Sequence, residues 1–182
     1  MNLRWLGYGA FAVAAVVLLA LLAISTGAIA PFLGDGYNPD PAAETDDTTV
    51  HDGYEHTTVT VRDGETGEEL GRVEAAIADT FDKRYLGLSA TDELPADRGM
   101  LFIHDSPGGY TYVMRNMSFG IDIVFIDADG TITTIHEAPK PGPGEDGNDQ
   151  RYPGEGKYIL EVNRGWTADR GVEPGDEISF ER

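Results

Sequence analysis

The stretch Leu94–Gly130, LPADRGMLFIHDSPGGYTYVMRNMSFGIDIVFIDADG, decides the fold. Ile121 to Ile126 is almost wholly apolar, the pattern of a central strand covered on both faces. Asp127-Ala128-Asp129-Gly130 then turns the chain into Thr131–Ile135, which alternates polar and apolar. Upstream, Met100 to Ile103 is a short buried run, and Tyr110 to Met117 reads as a longer strand rich in aromatics.

The same punctuation extends in both directions. Thr57–Val61 alternates, the Asp63-Gly64 and Thr66-Gly67 pairs mark a turn, and Leu70 to Ala78 returns as the second arm of a hairpin. Tyr158–Val162 and Glu177–Phe180 complete the set. Short strands separated by Gly and Pro turns predict a mainly β fold, a single sandwich or barrel-like domain over residues 57–182. Two short helices interrupt it. One follows Asp79 as N-cap, with Phe81, Tyr85 and Leu88 on one face; the other covers Gly165 to Arg170 and stops at Gly171. Pro139 to Gly156 has no periodicity and is expected to be a long loop.

The N-terminal thirty residues differ in kind. Leu6 to Ala30 carries no charge and exceeds the roughly 20 apolar residues that span a bilayer. Arg4 precedes the run and acidic sequence follows it, so residues 1–5 are expected in the cytoplasm and the rest of the chain outside. A cleaved signal peptide is the rival reading, given Ala28-Ile29-Ala30. The run is long for a signal core, and Pro31 would follow the cut. A retained single-pass anchor over residues 6–30 is the expectation, followed by a disordered acidic tether over residues 31–56 that is rich in Pro, Gly, Asp and Thr.

The 182-residue chain has 32 acidic residues, 13 basic residues and a net charge of −19. Such a field repels phosphate, which argues against nucleic-acid partners. The acids are spread along the chain, as in a solvated coat adapted to high salt. There is no cysteine, which excludes disulfides, thiolate nucleophiles and zinc–thiolate sites.

Six fragments in order carry a resemblance: Arg84–Leu88 (RYLGL), Leu94-Pro95 with Gly99–Phe102 (GMLF), Met114-Arg115-Asn116, Ile121–Asp127 (IDIVFID), Leu160–Asn163 (LEVN) with Gly165-Trp166, and Gly175-Asp176. From about Thr57 to Phe180 the chain resembles the DUF192 family, as an acidic member of haloarchaeal type. The resemblance implies a mainly β fold, often behind a signal or anchor, and supplies no catalytic residue. The family's usual Met and nearby Arg after the Gly-Leu pair are replaced by Ser89 and Thr91, and its Ile-Pro-Leu before the aspartate by Phe119-Gly120-Ile121.

Strand parity groups Tyr112, Met114 and Asn116; Asp122, Val124 and Ile126; and Ile159, Glu161 and Asn163. Each set places a polar group among apolar ones, where it needs a partner. Arg84, Tyr112, Met114, Asn116, Asp122, Glu161, Asn163 and Trp166 are therefore the candidate binding residues. They are expected either to converge on a ligand or to form an internal network pairing Arg84 or Arg115 with Asp122 or Glu161. No cofactor motif appears: there is no phosphate loop, nucleophile elbow or HExxH, and Glu145–Asp149 lacks EF-hand spacing. His104, His136 and a carboxylate make a zinc site only if the fold unites them. Asn116-Met117-Ser118 is a glycosylation sequon within an expected strand. The leading reading is an extracytoplasmic binding domain with a small-molecule or envelope ligand. A hydrolase built from Asp122, Glu161 and a histidine, and a structural envelope protein, are the alternatives.

Overall fold

The computed structural model describes residue 51 and residues 53–182. The expected anchor and nearly all of the expected tether lie outside the described residues. Among the described residues no helix is long and apolar enough to cross a membrane.

The chain runs β1 (His56–Arg62), β2 (Glu69–Ala78), α1 (Phe81–Leu86), β3 (Arg98–Val113), β4 (Ile121–Ile126), β5 (Ile132–Ala138), β6 (Arg151–Asn163), α2 (Trp166–Arg170) and β7 (Glu177–Ser179). Mainly β with two short helices is the observed class. The strands form one seven-stranded sheet in the order β5-β4-β6-β3-β2-β1-β7. Neighbours are antiparallel except β2 and β3, which run parallel because α1 and its flanking loops carry the chain across.

The sheet curls until its two edges meet at one end. Thr131 bridges Glu177, Ile132 N donates to Asp176 O at 2.8 Å, and Ile178 N donates to Gly130 O at 2.8 Å. The result is a half-barrel rather than two stacked sheets. Strand parity then sorts two cores. The inner one joins Val59, Val73, Leu101, Val124, Leu160 and Ile178, with edge residues from both β5 and β7. The outer one joins Met100, Phe102, Ile121, Ile123, Phe125 and Ile159 under the loops around α1 and after β3. Ile121–Ile126 is buried at every position, Asp122 included, as its almost wholly apolar run suggests.

Several elements differ from the sequence expectation. Met100–Ile103 and Tyr110–Val113 belong to one long strand, β3, which bulges between Ile103 and Gly108. That strand ends at Val113, so Asn116 is not on it. Met117 N donates to Met114 O at 3.2 Å, and Asn116 adopts φ 56, a left-handed turn that asparagine tolerates better than most residues. The loop after Pro139 is shorter than expected because β6 begins at Arg151. Its glycines are packing residues: a Cβ on Gly154 would lie 2.5 Å from the Phe125 ring, and one on Gly156 would lie 2.6 Å from Ile126 O. Thr80, not Asp79, caps α1, its Oγ1 accepting from Lys83 N at 3.3 Å. Asp79 instead pairs with Lys83 at 3.1 Å and Arg182 at 2.6 Å. Phe81 and Tyr85 are 73 % and 63 % exposed, whereas Leu88 is buried beyond the helix end, so the three do not form a core-facing stripe. The residues just before β1 pack on the domain: Glu55 O accepts from Ile77 N at 2.7 Å, and His51 Nε2 lies 3.2 Å from Thr91 Oγ1.

Candidate functional site

A cavity of about 400 Å³, open to solvent, lies on the outer face between α1, the turn that follows it, and the distal half of β3. Its size falls within the range of small-molecule sites. Gly87 builds one wall. Its φ 52 and ψ −141 are a conformation that side-chain-bearing residues avoid, and this bend seats Leu88 in the outer core. A Cβ at Gly87 would sit 3.4 Å from the Phe102 ring, an ordinary contact, so the backbone conformation and not space is what calls for glycine. Exposed Phe81 and Tyr85 stack at 6.1 Å along the rim.

Glu161 reaches this cavity from β6. It sits laterally between Met100 of β3 and Ile123 of β4, both fully buried. Only 5 % of Glu161 is exposed, and its carboxyl has no hydrogen-bond partner among the described residues. Burial alone pushes its pKa up, to about 8. The carboxyl is therefore mostly protonated at neutral pH, an uncharged O–H donor facing an apolar space.

The aromatic wall is ordered around Tyr112. Its ring meets Phe102 edge-on at 5.1 Å and Phe125 at 5.8 Å, and its hydroxyl shares a hydrogen bond with His104 Nε2 at 3.1 Å. Burial and then the neighbouring Glu161 raise the Tyr112 pKa, while Arg84 opposes them. His104 stacks on Tyr110 at 3.6 Å between centroids. Burial, then Arg84, pushes its pKa down to about 4, so His104 is neutral at physiological pH. Arg84 is fixed by two main-chain carbonyls, its Nη1 donating to Asp79 O at 2.7 Å and Ile103 O at 2.8 Å. Arg115 lies 4.0 Å above the Tyr85 ring and donates to Tyr85 O.

Of the eight residues predicted from sequence, Arg84, Tyr112 and Glu161 line the cavity and the other five do not. Asp122 is fully buried on the opposite face, since its partner across β4–β6 is Val162 while Glu161 pairs with Ile123. Its Oδ1 accepts from Gly165 N at 3.0 Å, and its Oδ2 accepts from Thr167 N at 3.0 Å and Thr167 Oγ1 at 2.7 Å, which docks the start of α2. Asn163 donates to Leu94 O at 2.8 Å and Pro95 O at 3.1 Å, holding the loop that enters β3. Trp166 belongs to the inner core and donates to Asp97 Oδ1 at 2.9 Å. Met114 is buried in the outer core, and Asn116 is exposed on its turn. Neither Arg84 nor Arg115 forms an ion pair with Asp122 or Glu161.

Because Asp122 and Glu161 point to opposite faces, they do not make a paired acid–base site. His136 Nε2 lies 2.8 Å from Pro153 O, and its ring packs edge-on against Phe125 at 5.9 Å. Among the described residues no three His, Asp or Glu side chains converge as metal ligands. Sequence reading missed Arg115, Ser89 and the Phe81–Tyr85 rim as lining residues, and named His104 only as a metal candidate. The available signal was the pair of aromatics four apart on a helix too short to bury them.

The DUF192 family profile, described as uncharacterised ACR, matches residues 61–180, and the chain belongs to that family. No curated protein matches it. Two solved structures are similar. A protein of Sinorhizobium meliloti 1021, described as a proposed transcription regulator, is 27 % identical with a TM-score of 0.63, over 71 % of this chain and 97 % of that one. A protein of unknown function from Novosphingobium aromaticivorans DSM 12444 is 27 % identical with a TM-score of 0.61, over 79 % and 99 %.

Proposed function

We propose that this domain is a non-enzymatic binding module that takes a small, largely apolar ligand in the cavity floored by Glu161, displayed outside the cell by the apolar segment Leu6–Ala30. The observation that carries the reading is Glu161 itself. The Glu161 carboxyl is 5 % exposed, has no protein hydrogen-bond partner among the described residues and faces the cavity, so a ligand bearing a neutral hydrogen-bonding group would find a free partner there. The aromatic walls supply the apolar contact, and a mostly apolar lining with a few placed polar groups is the usual composition of such sites. The site sits on a rigid sheet, which lowers the ordering cost of binding. A net charge of −19 argues against a nucleic-acid partner for this chain, and the transcription-regulator description of the Sinorhizobium relative is not carried over.

Ligand binding is tested by NMR on the full chain labelled at its four methionine methyls; of the three described methionines, only Met117 lines the cavity. Titration with 4-(3-hydroxypropyl)phenol should shift the Met117 methyl saturably, and Glu161→Leu should weaken that binding at least tenfold. No saturable shift up to millimolar ligand would defeat the proposal. Display is tested by membrane fractionation and N-terminal sequencing. A soluble form starting at Pro31 would remove the anchor.

A further inference from the structure

We propose that the ligand of this cavity is an anion: an aromatic or acyl body whose carboxylate or phosphate head is held by Arg84 and Arg115. The inference rests on the binding role above and names the ligand's charge.

Among the described residues six cations have no carboxylate within 4 Å, namely Arg84, Arg98, Arg115, Lys140, Arg151 and Lys157, and of these Arg84 and Arg115 line the cavity. Arg62, Arg72, Arg164, Arg170 and Arg182 each lie within 4 Å of a carboxylate. Arg84 and Arg115 do not, yet both line the same cavity. Each is held in place by neutral groups. Arg84 uses Nη1 for the carbonyls of Asp79 and Ile103; Arg115 rests on the Tyr85 ring and bonds the Tyr85 carbonyl. Such anchoring orients a guanidinium while leaving its charge uncompensated, which is the arrangement that recognises carboxylate or phosphate.

The other polar groups of the cavity add no competing negative charge. Tyr112 lines the cavity together with Arg84 and Glu161, and its hydroxyl is held by His104 Nε2 at 3.1 Å. A ligand spanning the cavity would place its anionic head at the arginines, its ring against Phe102 and Tyr112, and a neutral hydroxyl at Glu161. A cationic ligand would meet two arginines and one uncharged acid.

The test compares 3-(4-hydroxyphenyl)propanoate, 4-(3-hydroxypropyl)phenol and 4-(3-aminopropyl)phenol, which share a ring and differ in charge. The full chain is reconstituted in nanodiscs of zwitterionic lipid and followed by the Met117 methyl at pH 7. The acid should bind at least tenfold tighter than the uncharged phenol, and the ammonium weaker than either. In the Arg84→Gln/Arg115→Gln variant the acid should fall to within about twofold of the uncharged phenol. Should the double variant not fold, Arg115→Gln alone decides, because Arg115 sits on a turn outside both cores; the acid-to-phenol ratio should fall at least threefold. Equal binding of acid and uncharged phenol by the wild type overturns the anion assignment and leaves the cavity a binding site. A preference that survives the arginine substitutions also overturns it. Absence of any Met117 shift with all three removes the binding role and this inference with it.

Discussion

Replacing Glu161 with glutamine should change how stability depends on pH, and the size of the change follows from its burial. The Glu161 pKa is raised from 4.5 to about 8 in the folded state. A raised acid pKa means that the native state holds a proton the unfolded chain has released. The stabilisation is fully present below pH 4.5 and is lost as pH rises toward 8. His51 and His104 act in the opposite sense. Both are lowered from 6.5 to about 4, each mainly by burial, so their contributions are present above pH 6.5 and are lost as pH falls toward 4. Below pH 6.5 the two effects partly cancel. Between pH 6.5 and 8 the decline belongs to Glu161.

At about 1.4 kcal/mol per pH unit, that window corresponds to roughly 2 kcal/mol lost by the wild type and not by Glu161→Gln. The assay is urea unfolding at a series of pH values, followed by near-ultraviolet circular dichroism. The difference between the two profiles isolates Glu161, because every other titrating group is common to both. The amide brings its own constant cost as a buried donor, so the slope is diagnostic and the absolute stability is not. Parallel profiles from pH 6.5 to 8 would refute the reasoning. They would mean that Glu161 is ionised in the native state, and the neutral donor on the cavity floor would not exist.

Other perturbations separate structure from binding. Asp122→Ala should cost about 3 kcal/mol or more in urea unfolding, since it strands the amides of Gly165 and Thr167 and the Thr167 hydroxyl, while Asp122→Asn should cost less. Gly87→Ala should cost on the order of 1–3 kcal/mol through its strained backbone, since a Cβ there would only come into contact with the Phe102 ring, and it should also disturb the Met117 methyl. The melting temperature of the full chain should rise between dilute and molar salt, because its acidic excess repels itself least when screened; an unchanged value would count against salt adaptation.

What the sequence disclosed follows from which forces are local. The almost wholly apolar Ile121–Ile126 run, bounded by turn residues, reads as a strand buried on both sides, and it is. The Asp63–Gly67 turn was readable because Asp63 Oδ1 serves the amides of Glu65 and Thr66 within the turn itself. Gly171 at φ 68 ends α2 for an equally local reason. Non-local packing was not readable. Gly154 and Gly156 look like loop glycines until Phe125 and Ile126 lie against them, and Pro153 hides a strand that pairs with Thr111. Parity fixes which residues of one strand share a face, but only the β4–β6 register reveals that Asp122 and Glu161 face opposite ways.

That register carries most of the functional meaning. Two acids sit among apolar residues on adjacent strands, and their sequence settings are nearly alike: IDIV and LEVN. Asp122 looks toward α2 and finds three donors, so its charge is satisfied and its work is to dock a helix. Glu161 is offset by one residue in register, looks the other way, and finds none. A fold needing only stability would gain by replacing Glu161 with leucine, which would extend the apolar surface around Met100 and Ile123. An acid facing the cavity is the group that the proposed ligand would meet. The two arginines without counter-ions on the same cavity indicate the charge that visitor brings.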